Sequence, residues 1–181
     1  MHSLIASFAR LPKGSRAFLS LGLAVLFCVP AIAQIPPRPI IDPAEELAAI
    51  KAASTLDDDP EDAEAVRQVC TACHSASQYL TTPRSSSRWE QVYGQMARNG
   101  AHPNEEQIDR IVRYFQRNLT VVNVNTSPLE ELGPTLQTND EVTTAIVMRR
   151  AQKPFTGIDD LAGIPGVKRD VLVKLKDRLQ F

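Results

Sequence analysis

The sequence predicts an all-α protein. Apolar residues recur at helical spacing in several stretches, helix-capping residues stand just ahead of those stretches, and no strand pattern is found anywhere. Over 181 residues, 43% are hydrophobic, 23% charged and 6% aromatic, with a formal net charge of −1. That composition fits a soluble globular protein and excludes collagen-like, fully disordered and strongly basic nucleic-acid-binding classes. The length permits one domain or two small ones, and thirteen prolines, several clustered, point to linkers.

The first 33 residues read as a signal peptide for export. Arg10, Lys13 and Arg16 precede an uninterrupted apolar and small-residue run, Ala17 to Val29, that is too short to span a bilayer comfortably. Pro30 breaks the run, and Ala31-Ile32-Ala33 supplies small residues for cleavage before Gln34. Phe27 precedes Cys28 where a lipid-attachment box needs a small residue, so cleavage removes Cys28 and two cysteines remain. The expected location is the periplasm, with no integral membrane segment after cleavage.

Residues 34–56 read as a proline-rich and acidic linker with a candidate short helix over about Ala44–Ala53. Between Asp42 and Glu64 nine acids face Lys51 alone, which reads as a solvated face or the negative start of a helix. A domain over 57–119 follows, with three helices. The first spans about Glu61–Cys73, with Val66, Val69, Cys70 and Cys73 on one face. A Ser/Thr-rich loop covers Ser75–Ser86. The second helix opens with the capping box Ser87-Arg88-Trp89-Glu90, presents Trp89, Val92, Tyr93 and Met96 together, and stops at Gly100. Asn104 caps the third and Gln107 completes its box, ahead of the stripe Ile108, Ile111, Val112, Phe115, Leu119. Residues 120–181 form a second unit, with helices from Ser127-Pro128-Leu129-Glu130, over Asp140–Ala151, after Thr156-Gly157-Ile158-Asp159 and over Arg169–Leu179.

Cys70-Thr71-Ala72-Cys73-His74 carries the chemistry. C-x-x-C-H is the attachment sequence for c-type haem. Two cysteines on one helical turn present both thiols to one edge of the macrocycle, where each adds across a vinyl group, and the adjacent histidine supplies the proximal iron ligand. A thioredoxin-type redox pair would want a βαβ setting, and a zinc site would need two further ligands. A disulfide between residues three apart closes too small a loop to be useful. One covalent haem also explains how so small a three-helix core could be stable. Met96 is the candidate sixth ligand, with His102 and an open iron as the alternatives. Trp89 and Tyr93 are expected as walls of the pocket.

Residues of about 60–118 resemble the small cytochrome c modules that accompany periplasmic dehydrogenases. The matching elements are Cys70 to His74, Trp89 followed by Val92 and Met96, Gly100-Ala101, and the capped helix ending Tyr114-Phe115. The resemblance implies an all-α cytochrome c fold, covalent haem with His74 and Met96 as axial ligands, and one-electron transfer. The tail opens with Val122-Asn123-Val124-Asn125-Thr126-Ser127 and continues through Arg150, Pro154-Phe155, Asp159-Asp160-Leu161 and Ile164-Pro165-Gly166-Val167. It is similar to helix-hairpin-helix domains of the competence DNA-receptor type, in which G-x-G turns cradle DNA phosphates. Here the turn around Leu136-Gln137-Thr138-Asn139 has no glycine, and Lys168 stands where the second glycine after Gly166 would fall. Both departures weaken phosphate binding.

Lys168, Arg169, Lys174, Lys176 and Arg178 make the last helix basic, yet residues 119–181 balance eight bases against eight acids. A lumenal extrinsic subunit of photosystem II resembles this fold and serves as a protein–protein module. Gly166, Lys168 and Lys174 are therefore candidate contacts to a protein partner or to DNA. The expected function is that of an exported monohaem c-type cytochrome, an electron carrier and not an enzyme, with the tail docking it to a redox partner or a periplasmic dehydrogenase. The alternatives are a DNA-binding or DNA-uptake protein carrying a haem, and a haem sensor with an open sixth site.

Overall fold

The computed structural model describes residues 41–54 and 59–181. The expected signal peptide, its cleavage site near Ala33, the proline-rich stretch up to residue 40, and Asp57 and Asp58 lie outside the described residues. The described part is mostly helical, with nine α-helices and two short strands among the described residues. No helix there is long and apolar enough to cross a membrane.

Two helices start on the same device. In α1 (Pro43–Ala53) the Asp42 carboxylate accepts from the Ala44 N–H at 2.8 Å and Pro43 takes the first helical position. In α2 (Pro60–Cys70) Asp59 does the same for Glu61 at 2.9 Å, followed by Pro60. Acids in both first turns complement the positive helix ends. A short helix α3 (Ser77–Leu80) interrupts the Ser/Thr-rich loop, and α4 (Ser86–Arg98) precedes Gly100, whose φ is +99°. The capping box expected at Ser87–Glu90 does not form: the helix begins two residues earlier, with Ser85 as its cap, and Ser87 is already inside it. The box of α5 (Glu105–Leu119) is complete. Asn104 accepts from the Gln107 N–H at 2.8 Å, and the Gln107 side chain accepts from the Asn104 N–H at 3.1 Å.

The acidic run has a partner. Asp62 is fully buried and accepts both N–H groups of Arg113, at 2.7 and 2.6 Å. Arg110 joins Glu106 at 2.9 Å and also pairs with Glu61. The arginines of α5 therefore neutralise the acidic start of α2, and the two-pronged contact sets the half-exposed Arg113 guanidinium on the buried Asp62 carboxylate.

Two cores lie on either side of residue 120. The first gathers Ile50, Val66, Tyr79, Trp89, Ile111, Tyr114, Phe115 and Leu119. Helix α1, read from sequence as part of a linker, is seated in it: Ile50 is fully buried and its carbonyl accepts from the Tyr114 hydroxyl at 2.6 Å. The second core, with Val122, Val124, Leu132, Ile146, Phe155, Leu161, Leu172 and Leu175, is built by α6 (Leu129–Leu136), α7 (Asp140–Gln152), α8 (Ile158–Leu161) and α9 (Arg169–Lys174).

The absence of strands expected from sequence needs correction. β1 (Val122–Asn123) pairs in parallel with β2 (Leu179–Gln180), in register Val122 with Leu179 and Asn123 with Gln180. Two-residue strands carry no periodicity that a sequence could display. The last helix ends at Lys174 instead of Leu179, because a 3-10 turn over Lys176–Arg178 redirects the chain into β2. That turn buries Arg178, whose guanidinium donates to the carbonyls of Thr120, at 3.2 Å, and Arg117. A cation thus meets the negative end of α5. Thr135 adds a hydroxyl donated to the Gln116 carbonyl at 3.2 Å.

Candidate cofactor site

Cys70 is the last residue of α2, and at its cap both the N–H and the hydroxyl of Thr71 donate to the Arg67 carbonyl. The expected continuation to Cys73 is replaced by a turn over residues 71–74. The two thiols consequently differ. Cys70 is half-buried and packed against the first core, whereas Cys73 is exposed, and both are free. Burial pushes the Cys70 thiol up to about 12. It also sits at the negative end of its helix, the reverse of the N-terminal placement that activates redox cysteines. At a pH of about 8, alkylation of Cys73 in the chain as expressed without any attached group is expected to outpace that of Cys70 by about tenfold or more, as read by peptide mass spectrometry. Equal rates would show that Cys70 is not protected.

His74 is half-buried, and its Nδ1 lies 3.3 Å from the Ser75 carbonyl oxygen. A carbonyl can only accept, so as a hydrogen bond this contact has Nδ1–H donating, and in the neutral imidazole that leaves the Nε2 lone pair free. Metal-binding imidazoles are commonly held in this way.

Beyond His74 stands an aromatic cluster. Tyr79 is edge-on to the imidazole at 6.1 Å and tilted on Phe115 at 5.6 Å. Phe115 also meets Trp89 at 4.6 Å, Tyr93 at 5.6 Å and Tyr114 at 5.9 Å. Trp89 is buried, its indole N–H donating to the Leu119 carbonyl at 3.0 Å, with the Arg84 guanidinium over its ring. Burial raises the phenols of Tyr79 and Tyr93 well above the ordinary value, and Cys70 adds to both. The Tyr79 hydroxyl is buried with no hydrogen-bond partner among the described residues. Such a group calls for an acceptor.

The structure therefore brings Cys70, His74, Trp89 and Tyr93 to one core. Met96, one turn beyond Val92 and Tyr93, is half-buried but is not among the described side chains packed on that core. His102 is exposed. A hollow of about 270 Å³ adjoins Cys73 and is lined by Ile41, Pro43, Arg67, Gln68, Thr71 and Ala72 besides. Among the described residues no three His, Cys, Asp or Glu side chains converge as a zinc site requires.

In the tail, the signature residues turn inward. Asn125 clasps the Phe155 backbone, donating to its carbonyl at 2.9 Å and accepting from its N–H at 2.7 Å. Asn123 accepts from the Asn125 N–H at 2.9 Å, and Arg150 donates to the carbonyls of Val124 and Ser127 at 2.8 and 2.7 Å. Gln137 adopts the left-handed conformation at φ 53°, so the glycine-free turn keeps its shape while carrying a side chain. Gly166 has φ +89°, and a Cβ there would lie 2.5 Å from Val142 Cγ2. Lys168, before α9, is extended and exposed, and Lys174 is exposed. The basic face expected of the last helix is thinner than its composition implies: Arg178 is buried and Arg169 pairs with Asp159.

Comparisons with protein-family models, with curated proteins and with solved structures find no match to this chain. Sequence reasoning missed Glu46, whose carboxylate reaches the loop after His74, because nothing in a local pattern signals a contact across 30 residues.

Proposed function

We propose that this chain is an exported monohaem c-type cytochrome that carries single electrons in the periplasm, with the helix-hairpin-helix tail docking it to a protein partner. The observation that carries the reading is His74, with Nδ1 against the Ser75 carbonyl and Nε2 left free, immediately after two thiols at attachment spacing. The donor set and the unpartnered Tyr79 hydroxyl beside it fit a covalently attached haem. Cys70 and Cys73 would hold it by thioethers and His74 would ligate its iron, with Met96 as the candidate sixth ligand and Trp89 and Tyr93 as walls. A bound haem supplies a one-electron couple there. A protein partner for the tail is favoured over DNA by its surface. Leu129, Met148, Val173 and Phe181 are exposed apolar residues of this half, while its asparagines and two of its arginines are spent on internal hydrogen bonds.

The test is a reduced-minus-oxidised visible spectrum, with intact mass, of the chain exported from a host that carries haem-attachment machinery. Sharp c-type bands, a mass gain of one haem on a chain starting at Gln34, and no response to CO are expected. Met96→Ala should then open the iron to CO. A chain that leaves the host without covalent haem overturns the reading, and wild-type bands that shift with CO favour the sensor.

A further inference from the structure

We propose that Glu46 is a positioning residue for His74, acting through the peptide group that joins Ser75 to Ala76. Its Oε2 accepts from the Ala76 N–H at 2.6 Å. The carbonyl of the same peptide unit is the Ser75 oxygen, which lies 3.3 Å from His74 Nδ1. One rigid, polarisable amide therefore has a carboxylate at its N–H end and an imidazole at its C=O end. A charge-assisted bond to the N–H draws the amide's electrons towards oxygen and makes that oxygen a better acceptor. The Nδ1–H form of His74 is stabilised as a result, its ring orientation is held, and Nε2 becomes the more basic donor.

The relay has a firm anchor. Glu46 lies one turn before Ile50 on α1, and Ile50 is fully buried with its carbonyl bonded to the Tyr114 hydroxyl. Ala76 is itself fully buried, so its N–H depends on a protein acceptor. Helix α1 thus has a purpose beyond packing: it carries a charge to the loop that aims the histidine. The effect on iron rests on the haem reading, whereas the relay belongs to the chain without haem. With iron on Nε2, the more basic imidazole stabilises the ferric state and lowers the potential.

Two measurements on the full chain test this separately. In the haem-free protein at a pH of about 8.5, where an ordinary imidazole is neutral, nitrogen-15 NMR reads the His74 tautomer. The Nδ1–H form is expected to dominate, and Glu46→Ala to shift the tautomer ratio towards Nε2–H by about fivefold or more. Glu46→Gln keeps an acceptor without the charge; it should shift the ratio less, and it carries the comparison if the alanine variant does not fold. In the haem-loaded protein the midpoint potential should rise in the same order, with Glu46→Ala above Glu46→Gln. A folded Glu46→Ala chain with an unchanged tautomer ratio overturns the proposal, as does an unchanged potential in loaded protein. A ratio that responds in a chain that never takes up haem upholds the relay and overturns the haem reading.

Discussion

Phe115→Ala is expected to destabilise the protein by about 3–5 kcal/mol. The ring is buried and meets Tyr79, Trp89, Tyr93 and Tyr114, so its removal takes the centre out of the first core. Lost apolar burial and the cavity left behind act in the same direction, and neighbouring rings are too rigid to collapse into the gap. For a chain of this size the melting temperature should fall by roughly 10 °C, read by circular dichroism. Phe115→Leu should cost distinctly less, since it keeps most of the volume. The two cores share the Arg178 and Thr135 contacts to the end of α5, so the tail is expected to melt together with the first core. A loss below about 1 kcal/mol would show that the ring is not the centre of that core.

Gly166→Ala is expected to cost about 2–4 kcal/mol, through two effects that add. At φ +89° a side chain strains the backbone, and the new Cβ would meet Val142 Cγ2 at 2.5 Å. Valine cannot swing aside, because branching at Cβ restricts χ1. Val142→Ala in the same chain should therefore recover part of the loss, and a denaturant double-mutant cycle measures how much. The glycine of this turn is thus required for packing against α7. If Gly166→Ala kept full stability and instead changed retention on DNA, the packing account would fail and the phosphate-binding one would gain.

Local chemistry was readable wherever a few neighbouring residues suffice. The Asn104–Gln107 box, the part of the stripe from Ile111 to Leu119, the stop at Gly100 and the helix after Asn139 all depend on interactions within one or two turns, whereas Ile108 at the head of the stripe is exposed. Helix ends that compete with a neighbour were not readable. The end of α2 lies at Cys70 instead of Cys73, and α4 starts ahead of its apparent box, with Ser85 as its cap. Gln137 in the left-handed region had no signal at all, because glycine or asparagine is the residue that usually marks such a position.

The same division holds at the candidate site. The amino-acid sequence by itself determined which donors are present and at what spacing, two thiols and an imidazole within five residues, because covalent order sets that spacing whatever the fold. Only the tertiary structure decided what surrounds them. It left Cys70 half-buried while exposing Cys73, gathered four aromatic side chains around Phe115, and seated the short helix expected over about Ala44–Ala53 in the first core, so that its Glu46 reaches the loop behind His74. It also took Arg178 out of the basic face and set it against the end of α5. The physical reason is common to all of these. Burial, polarisation and long-range hydrogen bonds join residues tens of positions apart, and chain entropy leaves no trace of such a partnership in either local stretch.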